Sequence, residues 1–307
     1  MNHANEQKVN VAAVSVLSNT FLVVGKVIVG MLTGSISILS EAIHSAIDLV
    51  AAVIAYFSVK EASKPADDRH KYGHGKIENL SGTIEAILIV LAAIWIIYEA
   101  AGKLSHGGEV EQLGWGILVM GVSAVVNLAV STRLMRVAKE TDSVALEADA
   151  LHLRTDVYTS LGVMIGLAGI KLTGIAILDP LAAMGVALLI LKAGLDLTRH
   201  AFLPLVDISL PAEDEKVIVE VINSFSTDYL EFHKLRTRKS GSERHIDLHL
   251  VVQRDLPVYQ VHTLCDCIET EIEQRLPRSH VLIHIEPCPK DCSQCNPPEN
   301  HCPGNDQ

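Results

Sequence analysis

Two apolar stretches of the chain carry the same pair of polar side chains at the same spacing. His44 and Asp48 lie in one stretch, and His152 and Asp156 lie in the other. Residues four apart share one face of a helix, and ionisable groups at membrane depth usually mark a route for an ion or a proton. Two such helices side by side could enclose one cation between two imidazoles and two carboxylates, a ligand set that suits tetrahedral zinc.

Each of these four ligands must lose its proton before it binds a metal, so metal entry and proton departure are linked at this site. The pKa of histidine in water is about 6.5, close to cytoplasmic pH. We therefore expect outward metal movement in exchange for inward protons. The alternative is that each His–Asp pair is a hydrogen-bonded packing feature, but the repetition of the motif favours a metal site.

The apolar stretches indicate a membrane protein. Of 307 residues, 49% are hydrophobic, and the mean hydropathy is +0.30. Six apolar windows are each long enough for a spanning helix, which needs roughly 20 residues. They are 9–33, 36–59, 80–101, 114–137, 144–172 and 175–198. Lys and Arg are concentrated after the second and fourth windows, so the positive-inside rule predicts that both termini are cytoplasmic.

The residues after 207 have the pattern of a small soluble domain. Residues 244–252 alternate between apolar and polar side chains, and 232–240 would be their hairpin partner. An amphipathic helix over 258–275 and a strand over 281–285 would follow. The sequence predicts an α-helical membrane protein with six transmembrane helices (1–207), a small cytoplasmic α+β domain (208–287) and a Cys-rich flexible tail (288–307).

The charge of the chain excludes one class of partner. The formal net charge is -11, and residues 208–307 contain 17 acidic residues against 10 Lys and Arg. A strongly acidic domain repels phosphate backbones, so nucleic acid is not expected as a partner.

A second group of ligands lies in the link between the second and third windows. Asp67, His70 and His74 occur within eight residues. This spacing favours a metal site, and the alternative is a solvated charged loop with incidental histidines.

The soluble domain holds a third group of candidate ligands. His249 and His284 would point off the polar faces of their strands, and other members could approach from a neighbouring strand and helix. The alternative is an ordinary polar sheet face that is exposed to water. His245 and His280 are not expected to bind the metal. The candidate set is His233, His249, His262, His284 and Glu286.

The Cys-rich tail offers thiolates for a fourth, speculative metal site. Cytoplasmic thiols are normally reduced, so metal binding is favoured over disulfides. The spacing matches no familiar zinc finger. The residues are Cys288, Cys292, Cys295 and Cys302, with His301 beside them.

Three charged residues lie within or near the apolar windows: Lys26, Glu41 and Glu85. An unpaired charge at membrane depth is costly. We expect structural ion pairs or side chains that reach the lipid–water interface, rather than a role in transport.

The order of these parts resembles the cation diffusion facilitator family, particularly its bacterial YiiP type of zinc and iron efflux transporters. The resemblance covers about residues 9–287. It is carried by the paired ligand motifs and by four short motifs in fixed order: Pro65–Asp68, Gly73–Lys76, Leu235–Arg238 and Ile283–His284.

This resemblance implies a homodimeric metal/proton antiporter that works by alternating access in a bacterial inner membrane, with a metal-sensing cytoplasmic domain. It implies that the four ligands of the paired motifs form the transport site, and that the loop and the soluble domain hold further sites. It also implies that Lys76 and Asp207 form a charge pair that holds the dimer at the membrane surface. Zn²⁺ is the expected substrate and regulatory ligand, with Fe²⁺, Co²⁺ and Cd²⁺ as alternatives.

The chain departs from the YiiP type at two ligands. That type has an aspartate in place of His44 and another in place of Glu286. A second imidazole favours zinc over larger cadmium and harder manganese. His44 resembles the vesicular zinc transporters of the same family in this respect.

Two other function classes fit parts of the pattern. A membrane metal sensor would explain the histidine-rich domain but not the matched ligands at mid-membrane depth. An intramembrane metal hydrolase would need an open metal position and a general base, and four strong ligands without an obvious base argue against an enzyme.

Overall fold

A computed structural model describes residues 3–34, 36–106, 114–173 and 177–289. The chain divides into two compact units, Met1–Leu205 and Val206–Gln307. The first is helical, and the second contains a sheet.

Within the described residues, the first unit is a helical transmembrane domain that contains six long helices. They are α1 (His3–Thr33), α2 (Ile36–Ala62), α3 (Lys76–His106), α4 (Gly114–Thr141), α5 (Val144–Thr173) and α6 (Leu178–Phe202), and a short 3₁₀ turn (Leu203–Val206) follows them.

Within the described residues, α1, α2, α3 and α6 contain segments long and apolar enough to cross a membrane. The first half of α5 is more polar because it carries Glu147, Asp149, Arg154 and Asp156. Membrane crossing by α4 and α5 therefore stays a prediction.

Large apolar side chains cover the outer surfaces of these helices, as expected for surfaces that face lipid. On α1, Leu17, Phe21, Met31 and Leu32 are all more than two-thirds exposed. The inward faces carry small residues instead. A Cβ atom at Gly82 of α3 would come within 2.9 Å of Val144 Cγ1, so α3 and the start of α5 pack in close contact.

A buried polar network ties together the beginnings of three helices. Lys8 Nζ of α1 lies 2.9 Å from Glu78 Oε1 of α3, and both side chains are almost fully buried. Ser143, directly before α5, donates a hydrogen bond to the other oxygen of Glu78. This network fixes the first turn of α3, where the loop of residues 63–75 ends.

The described part of the second unit contains two helices and a three-stranded sheet. Its elements are α7 (Ala212–Ser224), β1 (Glu231–Ser240), β2 (Glu243–Val252), α8 (Val258–Arg275) and β3 (Ser279–Pro287). The strand order is β1-β2-β3. β1 and β2 are antiparallel, as the predicted hairpin requires, and β2 and β3 are parallel. The predicted α+β fold is confirmed.

The alternation of β2 separates an apolar face from a polar face. Ile246, Leu248 and Leu250 are buried, and they share one core with Ile218 of α7 and Ile268 of α8. Since successive side chains of a strand point to opposite faces, the polar side chains of β2 lie on the face away from both helices.

Candidate metal centres

The structure brings the four residues of the paired motifs together between α2 and α5. His152 Nε2 lies 3.1 Å from Asp48 Oδ1, and His44 Nε2 lies 3.9 Å from Asp156 Oδ1. Each carboxylate therefore faces an imidazole of the other helix. The ligand atoms of His44, Asp48 and Asp156 all lie within 4.8 Å of one another, a geometry that could hold one metal ion.

These residues line a cavity of about 460 Å³ that all six helices of the first unit help to form. The side chain of Asp48 is 5% exposed, and His44 is the most exposed of the four ligands. A cavity that reaches a buried carboxylate provides a path along which a cation could arrive.

Asn127 of α4 is a member of this site that sequence reasoning missed. Its Nδ2 donates a hydrogen bond to Asp156 Oδ2 at 3.2 Å, and it lines the cavity. This bond orients the carboxylate, as second-shell groups commonly do at metal sites. The sequence feature that could have indicated this residue is a single amide side chain in the apolar middle of the fourth window.

The charged residues of the apolar windows differ in their surroundings. Lys26 Nζ donates a hydrogen bond to Ser45 Oγ at 2.8 Å and lines the same cavity. The side chain of Glu41 is outside the described residues. Glu85 is buried without a Lys or Arg within ion-pair distance among the described residues. Within the described residues, Glu85 therefore shows neither of the expected arrangements, an ion pair or a side chain that reaches the lipid–water interface.

The loop residues Asp67, His70 and His74 also converge. Asp67 Oδ1 lies 3.3 Å from His70 Nδ1, and Asp67 Oδ2 lies 3.3 Å from His74 Nε2. The backbone N–H groups of His70 and Arg69 donate to Asp67, and these bonds hold the pKa of its carboxyl below the usual value. An ionised carboxylate beside two imidazoles could supply three ligands to a metal.

The polar face of the sheet carries the third cluster. His233 Nε2 of β1 lies 3.3 Å from Glu286 Oε2, and His249 Nδ1 of β2 lies 2.7 Å from Glu286 Oε1. The bond from His249 and the nearby charge of His233 lower the pKa of Glu286. His284, which pairs with His249 across the parallel strands, places its ring 4.6 Å from the ring of His249.

Among the described residues, the convergent group of His233, His249 and Glu286 does not include His262. His262 lies on α8, where its Nδ1 is 3.5 Å from Asp266 Oδ1. The core side chains of α8 pack against the apolar face of the sheet, whereas the cluster lies on the polar face. The approach of His262 to His233 stays a prediction.

The remaining predicted residues have other contacts or lie outside the described residues. Lys76 Nζ donates to the Leu205 carbonyl at 3.5 Å, and Asp207 lies 3.5 Å from Arg238. The pairing of Lys76 with Asp207 stays a prediction. Cys288 is buried and continues the sheet through a bond from its N–H to the Val252 carbonyl. The other proposed tail ligands lie outside the described residues: Cys292, Cys295, His301 and Cys302.

Two family models match almost the whole chain. The cation efflux transmembrane domain matches residues 12–206, and the cytoplasmic domain of cation efflux proteins matches residues 210–288. Together they correspond to the two units of the structure.

Individual relatives match over similar lengths. An uncharacterized transporter of Synechocystis sp. is 37% identical over 87% of this chain and 86% of its own. The cation-efflux pump FieF of Salmonella choleraesuis is 32% identical over 92% of each chain. A solved structure of CzrB in its zinc form is 36% identical over 26% of this chain and 92% of its own, with a TM-score of 0.25, which is too low to compare the folds.

Proposed function

This chain belongs to the cation efflux family, also called the cation diffusion facilitators, and we propose that it exports Zn²⁺ from the cytoplasm in exchange for protons. One observation carries the proposal: two imidazoles and two carboxylates from α2 and α5 face one another inside one cavity. A relative named a cation-efflux pump supports export as the direction of transport.

The donor set supports zinc as the substrate. Imidazole nitrogen suits zinc and other borderline metals, whereas sites made only of oxygen suit magnesium, calcium or manganese. Two nitrogen and two oxygen donors also match the tetrahedral coordination that zinc prefers. Fe²⁺, Co²⁺ and Cd²⁺ are the alternative substrates, and their flux should be compared with that of Zn²⁺.

The pairing of ligands across the two helices supports proton exchange. In the metal-free site, a proton can lie on an imidazole that donates to the opposite carboxylate, as in the His152–Asp48 contact of 3.1 Å. A metal that binds both groups must displace that proton, because the same lone pairs hold either the proton or the metal. Each zinc ion bound therefore releases protons, and its departure allows them to return.

The proposed cycle alternates between inward-facing and outward-facing states of a homodimer in a bacterial inner membrane, with six membrane spans and both termini cytoplasmic. The match of the second unit to the cytoplasmic-domain model supports this placement of the unit. We propose that its His233–His249–Glu286 cluster and the loop cluster of Asp67, His70 and His74 bind zinc as regulatory sites.

The test is zinc flux in proteoliposomes that contain the purified full-length protein. Vesicles carry one dye for zinc and one for pH, and a pH gradient is imposed. We expect zinc movement that accelerates with the proton gradient and is accompanied by opposite proton movement. His200→Ala, an exposed histidine outside the cavity, is the control variant and should transport normally.

Three other outcomes would reject parts of this proposal. Zinc binding without flux would favour a membrane metal sensor. Zinc flux at an equal rate without proton movement would reject the exchange. Faster flux of Fe²⁺, Co²⁺ or Cd²⁺ than of Zn²⁺ would reject the substrate.

A further inference from the structure

Glu85 of α3 and Asp149 of α5 are two carboxyl groups buried inside the first unit, each 1% exposed. Gly82 of α3 and Val144 of α5 are in close contact, and Glu85 lies three residues after Gly82 while Asp149 lies five residues after Val144. Neither Glu85 nor Asp149 lines the cavity that contains the four paired ligands. They therefore form a separate polar feature of the same helices.

Neither of these two carboxyls forms an ion pair with a Lys or Arg of the described residues. No Lys or Arg of the described chain lies within 4.0 Å of either one, and both oxygens of Glu85 and Oδ2 of Asp149 have no hydrogen-bond partner there. Glu78 of α3 is equally buried but has both Lys8 and Ser143 as partners. The contrast shows how a buried carboxylate is stabilised elsewhere in this unit.

Two buried hydroxyl groups point toward the pair. Ser81 of α3 faces Glu85, and Ser15 of α1 faces Asp149. Both hydroxyls are buried and neither reaches hydrogen-bond geometry with a described residue. The charged groups that act on the pair are the two carboxyls themselves and His152. Oxygen atoms therefore line this site, and an additional hydrogen-bond donor would satisfy them.

A proton bound to one of the two carboxyls would stabilise the pair without any other ion. Two adjacent carboxylates away from water would repel each other and lose their solvation, and such a pair commonly retains a proton. One proton bound to the pair removes half of its charge and supplies one O–H donor. A neutral acid also needs no cation from the surrounding helices.

We propose that Glu85 and Asp149 form a proton-binding site, separate from the metal ligands, that holds one exchangeable proton in the metal-free protein. The idea that this proton takes part in transport rests on the proposed metal/proton exchange. Release breaks one carboxyl O–H bond, leaves a carboxylate, and passes the proton to water. Because Asp149 precedes His152 by one helical turn, a change of charge at the metal ligands is felt by the pair.

The first experiment detects the proton directly in the full-length protein. Infrared difference spectra recorded with and without Zn²⁺ should contain the C=O stretch of a protonated carboxyl. We expect Glu85→Gln and Asp149→Asn to remove or shift this band. Glu147→Gln, a half-buried acid on the same helix, should leave it unchanged. A wild-type spectrum without such a band, or a band that both variants retain, would overturn the proton site.

The second experiment measures the proton-to-zinc ratio in proteoliposomes. The double variant of Glu85→Gln and Asp149→Asn should move about one proton fewer per zinc ion than the wild type, because it lacks an exchangeable carboxyl proton. Zinc affinity should change by less than about threefold, since no metal ligand is lost. An unchanged ratio in a variant that still transports zinc would exclude the pair from the exchange.

The two experiments distinguish a failure of the proton site from a failure of the proposed metal/proton exchange. If the wild type moves zinc without protons, the exchange itself fails, while the infrared band still reports whether the pair holds a proton. If the double variant does not fold, the infrared comparison of the single variants remains decisive.

Discussion

The cluster between α2 and α5 and the cluster on the sheet use the same donor types but are held by different scaffolds. In the first, Asp48 and Asp156 each face an imidazole of the other helix, so the set is complete only when the two helices are correctly aligned. In the second, His249 and Glu286 lie on neighbouring strands joined by a ladder of backbone hydrogen bonds.

This difference fits the two roles that we propose for the clusters, which are transport and regulation. Helices that slide or tilt by a few ångströms can separate the members of the first cluster, as transport requires. Strands joined by backbone hydrogen bonds hold their side chains in a fixed register, as a binding site that reports metal concentration requires. The predictions below test whether the two clusters differ in this way.

The largest effect should come from removing one ligand of the helical cluster. Asp156→Asn keeps the shape of the side chain but loses the charge that faces His44. Zinc flux in proteoliposomes should fall by roughly 100-fold or more, because the loss exceeds that of a second-shell group. Glu286→Gln should leave flux at saturating zinc within about threefold, since we propose that the sheet cluster regulates transport and does not carry the transported ion.

An equally strong loss of flux at saturating zinc in Glu286→Gln and Asp156→Asn would contradict the proposed difference between the two clusters. The sheet cluster would then be required for transport and not only for regulation. Zinc titration of both variants by calorimetry is the accompanying measurement, and each should lose one class of binding site.

A tenfold effect should follow from the amide that orients Asp156. Asn127→Ala removes the hydrogen bond of 3.2 Å to Asp156 Oδ2, so the carboxylate is less well positioned for the metal. Zinc affinity of the transport site should fall by about 10-fold. Ser131→Ala, one turn later on the same helix and bonded to its own backbone, should have no such effect.

A smaller effect should change metal preference rather than rate. His44→Asp replaces a nitrogen donor with oxygen, and a site with three carboxylates accommodates larger cadmium more readily. The ratio of zinc to cadmium flux should fall by roughly 3- to 10-fold. Equal ratios in the wild type and this variant would contradict the selectivity that we assign to the second imidazole.

The sequence was sufficient for the features that depend on spacing along one element. The His-x3-Asp repeats predicted which faces of α2 and α5 meet, and the alternation of residues 244–252 predicted the buried face of β2. Features that depend on packing between distant elements could not be read in this way. Asn127 reaches Asp156 across 29 residues of chain, and nothing in its local sequence indicates that partner.

Two expectations depend on how distant elements pack. His262 lies on α8, whose core side chains pack on the apolar face of the sheet, and its approach to the strand histidines stays a prediction. Glu85 was expected to form an ion pair or to reach the lipid–water interface, but it is buried near Asp149, His152 and the Ser81 hydroxyl. The side of a sheet on which a helix packs, and the neighbours of a buried charge, are set by the tertiary fold.

The smallest predicted effect concerns His245, at the other end of the polar sheet face. Burial, followed by the positive charge of Arg238 and the nearby His280, lowers the pKa of His245 from 6.5 to about 4. The unfolded chain therefore binds this proton more readily than the folded unit. Stability from this group is complete above pH 6.5 and is lost as pH falls from 6.5 toward 4.

Hydrogen exchange of the β2 amides in the full-length protein, corrected for intrinsic rates, would measure this loss. Protection should fall between pH 6.5 and about 5 in the wild type, before carboxyl groups titrate. His245→Phe removes the imidazole but keeps a planar ring, and should flatten the pH dependence. His262→Gln, an exposed histidine of α8, should retain it. If protection in His245→Phe falls over the same pH range, another group of the sheet must bind the proton, and the neutral state assigned to His245 would be wrong.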